Sequence, residues 1–133
     1  LESKGDINSV GLPLISMEKL VKKSVMISLQ TPAKADGRAV IVEDQFKLMK
    51  QGAFLINAAR GGIVDEDALL RALDSGKLSG AALDVFVGEP NPRVDVLSHP
   101  AISLTPHTGA ATSEAQDRIG LELASQIAEI ASA

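Results

Sequence analysis

The chain of 133 residues contains no cysteine, no tryptophan and no tyrosine, and it has only three phenylalanines. Without cysteine it cannot form a disulfide, a thiolate zinc site or a cysteine nucleophile. It has no apolar run long enough to span a membrane and no recognisable signal peptide. Its net charge of -4 argues against sequence-independent nucleic-acid binding, which needs clustered Lys and Arg. We therefore predict no metal, nucleic-acid or membrane partner.

Apolar residues make up 45% of the chain and aromatic residues only 2%, so the core must consist mainly of Val, Leu, Ile and Ala. A chain of this length forms one domain and can bury roughly 70% of its unfolded surface. Short apolar runs alternate with segments of helical periodicity, which is typical of a parallel α/β sheet. The sequence starts with Leu1 rather than Met, which suggests a processed or truncated protein, and residues 1–12 read as an irregular start.

The pattern predicts strands at residues 14–15, 24–29, 53–56, 80–87 and 102–105. Helices are predicted at residues 17–22 behind an N-cap at Ser16, at residues 43–50 before Gly52, and between Asp65 and Gly76. Residues 88–101 are predicted to form a proline-rich loop.

A last helix is predicted over residues 113–131. Ser113 and Gln116 have the spacing of a capping box at its start. Its apolar residues recur at helical spacing and predict a buried stripe of Ile119, Leu123, Ile127 and Ile130.

The segment LINAARGGIVD, residues 55–65, carries the first candidate site residue. Arg60 follows a buried strand and precedes the Gly61-Gly62 turn. In an open parallel sheet, ligands bind outside the carboxyl ends of the strands. A guanidinium group is always charged, and its planar set of donors matches a carboxylate. Arg60 is therefore a candidate carboxylate-binding residue, and the alternative is a solvated surface arginine.

Glu89 and His107 follow the next two predicted strands, so both should reach the same edge of the sheet as Arg60. Histidine readily accepts and returns a proton near neutral pH. A carboxylate bound to one ring nitrogen would fix the tautomer and favour the imidazolium form. The alternative is that Glu89 and His107 are loop residues without a role, and this is the interpretation we keep for His99.

Asp84 lies inside the apolar run GAALDVFV, where an unpaired carboxylate would be costly to bury. We expect it near the carboxyl end of the strand with a hydrogen-bond donor as its partner. Either it caps neighbouring backbone groups or it accepts a hydrogen bond from an amide of a ligand. Of these two roles we favour the ligand.

The motifs NAARGGIVDEDALLRAL, SGAALDVFVGEP and LTPHTGAAT resemble those of the D-isomer-specific 2-hydroxyacid dehydrogenases, most closely the D-3-phosphoglycerate dehydrogenases. The resemblance runs from about Val10 to Ile130. It implies hydride transfer between NAD and C2 of a D-2-hydroxy acid. It also implies a cytoplasmic, homo-oligomeric enzyme of serine biosynthesis.

The resemblance also assigns roles to individual residues. Arg60 would bind the substrate carboxylate, and Glu89 would pair with His107, which moves the hydroxyl proton. Asp84 would contact the nicotinamide carboxamide, and Thr31 would touch the dinucleotide near its adenosine. The residues implied to bind the cofactor are Thr31, Ala58, Ala59, Arg60, Asp84, His107, Thr108, Gly109 and Ala110.

The sequence lacks the G-x-G-x-x-G turn that holds the cofactor pyrophosphate in this family. We therefore expect the second half of a doubly wound, Rossmann-type parallel sheet in a three-layer α/β/α arrangement, without the first half and the substrate domain. In the family, the strand that corresponds to residues 24–29 lies beside the first strand of the domain. We expect another copy, an upstream segment or a separate chain to cover its edge, and a solvated edge in a monomer would contradict this topology.

Two further functions fit the same residues. The fold also serves in the C-terminal-binding-protein corepressors, in which a dinucleotide regulates assembly. The 133 residues could instead be inert, because half of the cofactor site would be missing.

Overall fold

The computed structural model describes residues 15–109 and 111–132. Four strands form one parallel sheet in the order β1-β2-β3-β4. These strands are β1 (Met26–Leu29), β2 (Ala53–Asn57), β3 (Leu78–Leu83) and β4 (Ile102–Leu104). The helices of the described residues are α1 (Met17–Lys23), α2 (Glu43–Leu48), α3 (Glu66–Asp74), α4 (Val94–Leu97) and α5 (Ser113–Ala131). The predicted parallel α/β sheet is confirmed.

One face of the sheet forms the core. The register places Leu55 of β2 between Ile27 of β1 and Ala81 of β3, and Ile102 of β4 follows Ala81. All four side chains are buried, in one cluster with residues of α1, α2, α3 and α4 such as Phe46. Each fully buried side chain of the size of Leu or Ile contributes about 1.5–3 kcal/mol, so this face carries most of the stability.

The opposite face of the sheet is open. Met26 is 57% exposed and Phe54 is 45% exposed, although they lie at neighbouring positions of β1 and β2. Within residues 15–109 and 111–132, helices therefore cover only one face, and the second helical layer of the expected three is not formed by these residues.

β1 lies at the edge of the sheet, as predicted, and its free edge has no partner strand among the described residues. We expected such an open edge to contradict the topology. That expectation was wrong, because the strand order and the parallel register hold with the edge open. The expectation that another chain or segment covers the edge stays a prediction.

Two predicted helix starts are confirmed. The Ser16 side chain accepts a hydrogen bond from the Lys19 N–H, and the Asp65 side chain accepts one from the Ala68 N–H. Each bond satisfies one of the backbone donors that a helix start leaves unpaired. α3 buries the apolar face that its spacing predicts, with Leu69 fully buried.

Three predicted boundaries were wrong. β3 ends at Leu83 rather than at residue 87, because the chain turns there to bring Asp84 and the residues after it to the rim. The 88–101 segment is not only a loop, since it contains the single turn α4, which is too short to show a periodic pattern and is anchored by the buried Val96. The predicted strand at residues 14–15 is not formed at Ile15, and Leu14 lies outside the described residues, as do residues 1–12.

The start and the packing of α5 also differ from the prediction. Thr112, not Ser113, is the N-cap, and its side chain accepts a hydrogen bond from the Ala115 N–H. The N-cap thus lies one residue before the predicted Ser113, because two adjacent hydroxyl residues compete for the cap position. The predicted stripe is exposed rather than buried along its whole length, at Ile119, Leu123, Ile127 and Ile130.

Candidate active site

The turn after β2 positions Arg60. Asn57, the last residue of β2, is buried, and its side chain bonds the turn at two points. Its Nδ2 donates to the Arg60 carbonyl at 3.1 Å, and its Oδ1 accepts from the Ala59 N–H at 3.2 Å. The Arg60 side chain is exposed, and its Nη1 donates to the Ala59 carbonyl at 2.7 Å. The backbone of this turn is therefore fixed, whereas the guanidinium group lies at the surface.

The turn after β3 positions Glu89. The Glu89 Oε1 accepts a hydrogen bond from the Phe86 N–H at 2.7 Å, and Gly88 between them has φ +79°, which favours glycine. The peptide bond between Glu89 and Pro90 is cis. Hydrogen bonds from His107 and from the Phe86 N–H lower the pKa of the Glu89 carboxyl from its ordinary value. Glu89 is thus held as a carboxylate.

His107 follows β4 and has φ +54°, an uncommon conformation for a residue with a side chain. Its Nδ1 lies 2.6 Å from the Glu89 Oε2. Because Glu89 is a carboxylate, Nδ1 carries the hydrogen of this bond, so the neutral form of the ring is the tautomer with an unprotonated Nε2. Nε2 is therefore the ring atom that can accept a proton and return it.

Asp84 is buried directly beneath this rim. Its Oδ1 accepts from the Thr105 Oγ1 at 2.5 Å and from the Thr108 N–H at 2.9 Å, and its Oδ2 accepts from the Gly109 N–H at 3.0 Å. Burial raises the pKa of the Asp84 carboxyl, but these hydrogen bonds outweigh it and hold that pKa below its ordinary value. Of the two roles considered for Asp84, the structure shows the capping of neighbouring backbone.

Two cavities adjoin at this rim. The larger, of about 420 Å³, is lined mostly by apolar side chains together with Glu89 and His107. The smaller, of about 140 Å³, lies at the carboxyl ends of β2 and β3 and is lined by residues that include Ala58 and Asp84. Thr105 lines both cavities. A ligand in the smaller cavity would therefore lie next to the histidine-carboxylate pair.

The structure brings together some of the predicted site residues and not others. Glu89 and His107 are in contact, as predicted. Arg60 follows β2 at the same edge, but across the part of the chain that the structure describes, no hydrogen bond or ion pair joins it to either of them. Thr31 lies after β1, half-buried, with its hydroxyl near the Pro32 carbonyl. Ala110 lies outside the described residues.

Comparison of the sequence with family profiles identifies the family of this chain. The sequence profile of the family described as D-isomer specific 2-hydroxyacid dehydrogenase, NAD binding domain, matches residues 2–109. The chain belongs to this family.

The chain is similar in sequence and in fold to several dehydrogenases. The chain is 42% identical to chloroplastic D-3-phosphoglycerate dehydrogenase 2 of Arabidopsis thaliana, over 90% of this chain and 19% of that protein. Its structure resembles holo D-mandelate dehydrogenase of Rhodotorula graminis with a TM-score of 0.72 and 35% identity, over 77% of this chain and 30% of that one.

A third relative is the NADPH-dependent glyoxylate/hydroxypyruvate reductase of Sinorhizobium meliloti, with a TM-score of 0.68 and 34% identity, over 74% of this chain and 31% of that one. The chain therefore spans between 19% and 31% of the length of these 2-hydroxyacid dehydrogenase relatives.

Sequence reasoning missed three residues that build the site of this dehydrogenase family member. Asn57 holds the Arg60 turn, Thr105 bonds Asp84, and Glu66 accepts from the Val87 N–H at 2.9 Å. Of these three residues, only Asn57 could have been found from the sequence, because it is a polar residue at the end of an apolar strand. The partners of the other two are 21 residues away along the chain, a distance at which spacing gives no guide.

Proposed function

We propose that this chain forms the nicotinamide side of an NAD-dependent D-2-hydroxyacid dehydrogenase. The observation that carries the proposal is the bond between the His107 Nδ1 and the Glu89 Oε2 at 2.6 Å, on a rim formed by the ends of parallel strands. This pair leaves one basic ring nitrogen available for a substrate hydroxyl. Oxidation of a hydroxyl group requires a base of this kind.

In this proposal His107 accepts the hydroxyl proton at Nε2 during oxidation and returns it during reduction. Glu89 stabilises the imidazolium form, because its carboxylate lies against the protonated Nδ1. General acid-base catalysis of this kind typically contributes about 100- to 10,000-fold in rate. Arg60 would bind the substrate carboxylate through its exposed guanidinium group, of which Nη1 donates to the Ala59 carbonyl.

The residues present fit the nicotinamide end of NAD. The smaller cavity has an apolar lining with Ala58 on one side. Among the described residues, only the Gly109 N–H donates to the Asp84 Oδ2, so this oxygen can accept another hydrogen bond from an amide. Ala59, Thr108 and Gly109 would lie around the same ring, and Thr31 nearer the adenosine. When bound, NAD supplies the hydride acceptor, and the protein supplies position and electrostatics.

The substrate is proposed from the relatives. D-3-phosphoglycerate is the first candidate, because the Arabidopsis relative is a D-3-phosphoglycerate dehydrogenase at 42% identity. The relatives with solved structures are named for mandelate and for glyoxylate or hydroxypyruvate, so the shared fold supports the reaction more strongly than the substrate.

The test is the oxidation of NADH by the complete protein with 3-phosphohydroxypyruvate or glyoxylate. We expect turnover with one of these 2-keto acids, and a corepressor-type module would show none. Titration of NAD against the 133-residue chain itself tests whether this chain alone is inert. His107→Ala should reduce turnover by at least about 100-fold and leave the affinity for NAD near normal.

The matched control is His99→Ala, because these are the two histidines of the chain and only His107 contacts Glu89. His99→Ala should keep turnover, since His99 bonds Asp74 and the Ala101 N–H instead. If His107→Ala kept full turnover, or lost NAD binding while its chemistry persisted, the proposed role of His107 would be wrong.

Three further properties are part of this proposal. We expect a homo-oligomer, a cytoplasmic location and a part in serine biosynthesis, all from the family resemblance. No helix within residues 15–109 and 111–132 is long and apolar enough to cross a membrane.

A further inference from the structure

Glu66 is a buried acid that the proposed chemistry does not use. It is the first residue of α3 and is only 8% exposed. Its Oε1 accepts a hydrogen bond from the Val87 N–H at 2.9 Å, whereas its Oε2 is buried and has no partner among the described residues. An unpaired buried carboxylate oxygen is destabilising, so stability alone does not explain an acid here.

The bond from Glu66 ends on the turn that carries Glu89. Two consecutive backbone donors of this turn are held by two carboxylates, the Phe86 N–H by Glu89 and the Val87 N–H by Glu66. Glu89 belongs to the turn itself, whereas Glu66 belongs to a separate helix. The bond from Glu66 to the Val87 N–H therefore joins this turn to α3.

The same turn also lies against the Arg60 turn. A methyl group on Gly61 would lie 2.0 Å from the Phe86 carbonyl oxygen, so the two backbones are in direct contact. α3 begins six residues after Arg60. Contact at Gly61 and the bond from Glu66 thus hold the Glu89 turn from two sides.

We propose that Glu66 is a positioning residue that holds the Glu89–His107 pair at a fixed place relative to Arg60. The proposal rests on the function proposed above for that pair. The effect passes through three consecutive contacts. Glu66 accepts from the Val87 N–H and so holds the turn, and the Phe86 N–H of that turn holds the Glu89 carboxylate. Glu89 in turn determines the tautomer of His107. The substrate carboxylate and the hydroxyl group that loses its proton are on adjacent carbons, so binding one and deprotonating the other need a constant spacing between Arg60 and His107.

The first readout needs no substrate. In the ¹⁵N-labelled chain, the imidazole nitrogen resonances of His107 report which ring nitrogen carries the proton. Glu66→Asp shortens the side chain by one methylene and breaks the bond to Val87, but it keeps an acid in the first turn of α3, where the helix tolerates it. We expect Glu66→Asp to lose the Nδ1–H preference and to raise the exchange rate of the Val87 amide at least about 10-fold.

Glu66→Gln tests rescue, since its amide oxygen can still accept from the Val87 N–H. It should keep the tautomer of His107. Glu43→Asp is the matched control, because Glu43 is also the first residue of a helix and bonds an arginine on the surface. It should leave His107 unchanged. An unchanged tautomer and unchanged Val87 exchange in Glu66→Asp would overturn the proposal.

The second readout separates this proposal from the proposed function. In the complete protein, Glu66→Asp should lower kcat by roughly 100-fold with little change in KM, because a displaced catalytic group costs rate rather than binding. If the protein is active and kcat of Glu66→Asp is unchanged, the positioning role fails and the function stands. If no turnover is found but the tautomer responds as expected, the function fails and the positioning role stands.

Discussion

Replacement of Asp84 by Asn tests the hydrogen-bond cluster beneath the rim. The Asn Oδ1 can still accept from Thr105 and Thr108, but an NH₂ group would then face the Gly109 N–H, which now donates to Oδ2 at 3.0 Å. The variant thus loses one hydrogen bond to a charged group and leaves a donor without an acceptor. We expect the free energy of unfolding to fall by about 2–3 kcal/mol at neutral pH.

The stability lost in Asp84→Asn should become smaller as the pH falls. The folded pKa of Asp84 lies below its ordinary value, so its stabilising contribution is complete above the unfolded pKa, about 3.9, and is lost as the pH falls through the lower folded pKa. The difference between wild type and Asp84→Asn should therefore be constant near neutral pH and shrink in acid.

Urea unfolding followed by far-UV circular dichroism measures this difference, because the chain has no Trp or Tyr for fluorescence. Asp44→Asn is the control, since its side chain is 82% exposed, and it should change nothing. A difference for Asp84→Asn below about 0.5 kcal/mol, or one that stays constant down to acid pH, would refute this account of the cluster.

Three other perturbations have clear expected outcomes. Gly61→Ala should lower the free energy of unfolding by about 1–3 kcal/mol, because the added methyl group would collide with the Phe86 carbonyl. Gly120→Ala is its control, since the space around Gly120 is open, and it should only raise the helix content. His99→Ala should lower the free energy of unfolding by about 1 kcal/mol in a thermal melt, through loss of its two hydrogen bonds. Deletion of residues 113–133 should leave amide exchange in the sheet unchanged, since the described part of this helix buries no side chain; faster exchange in β4 would show that the helix packs on the sheet.

The sheet and the strand–helix order could be predicted from the sequence because they follow from local patterns. Apolar runs predicted β1 and β2, and the residues that cap α1 and α3 are side chains that compete well for unpaired backbone N–H groups. The one-turn helix α4 was missed because four residues give no period to detect. Its position depends on Val96, whose burial is decided by contacts with distant residues.

Part of the candidate site was predictable and part was not. Topology predicted that Glu89 and His107 reach the same edge of the sheet, because parallel strands end there, and the family resemblance predicted that they pair. The capping role of Asp84 was considered but not favoured, since it depends on the course of the chain after β4, which brings the Gly109 N–H back to the carboxylate. The direction of the Arg60 side chain could not be predicted, because a long exposed side chain has many conformations of similar energy.

The strand order has a consequence for how the molecule assembles. Each of the four strands pairs with the strand that follows it in the sequence, so the sheet can form from contacts between consecutive segments. During synthesis on a ribosome, β1 and β2 can therefore associate before β4 has been translated. His107 follows β4, so it can reach Glu89 only after β4 has been translated and has docked on the sheet. Nascent chains that end before β4 therefore lack the His107–Glu89 pair.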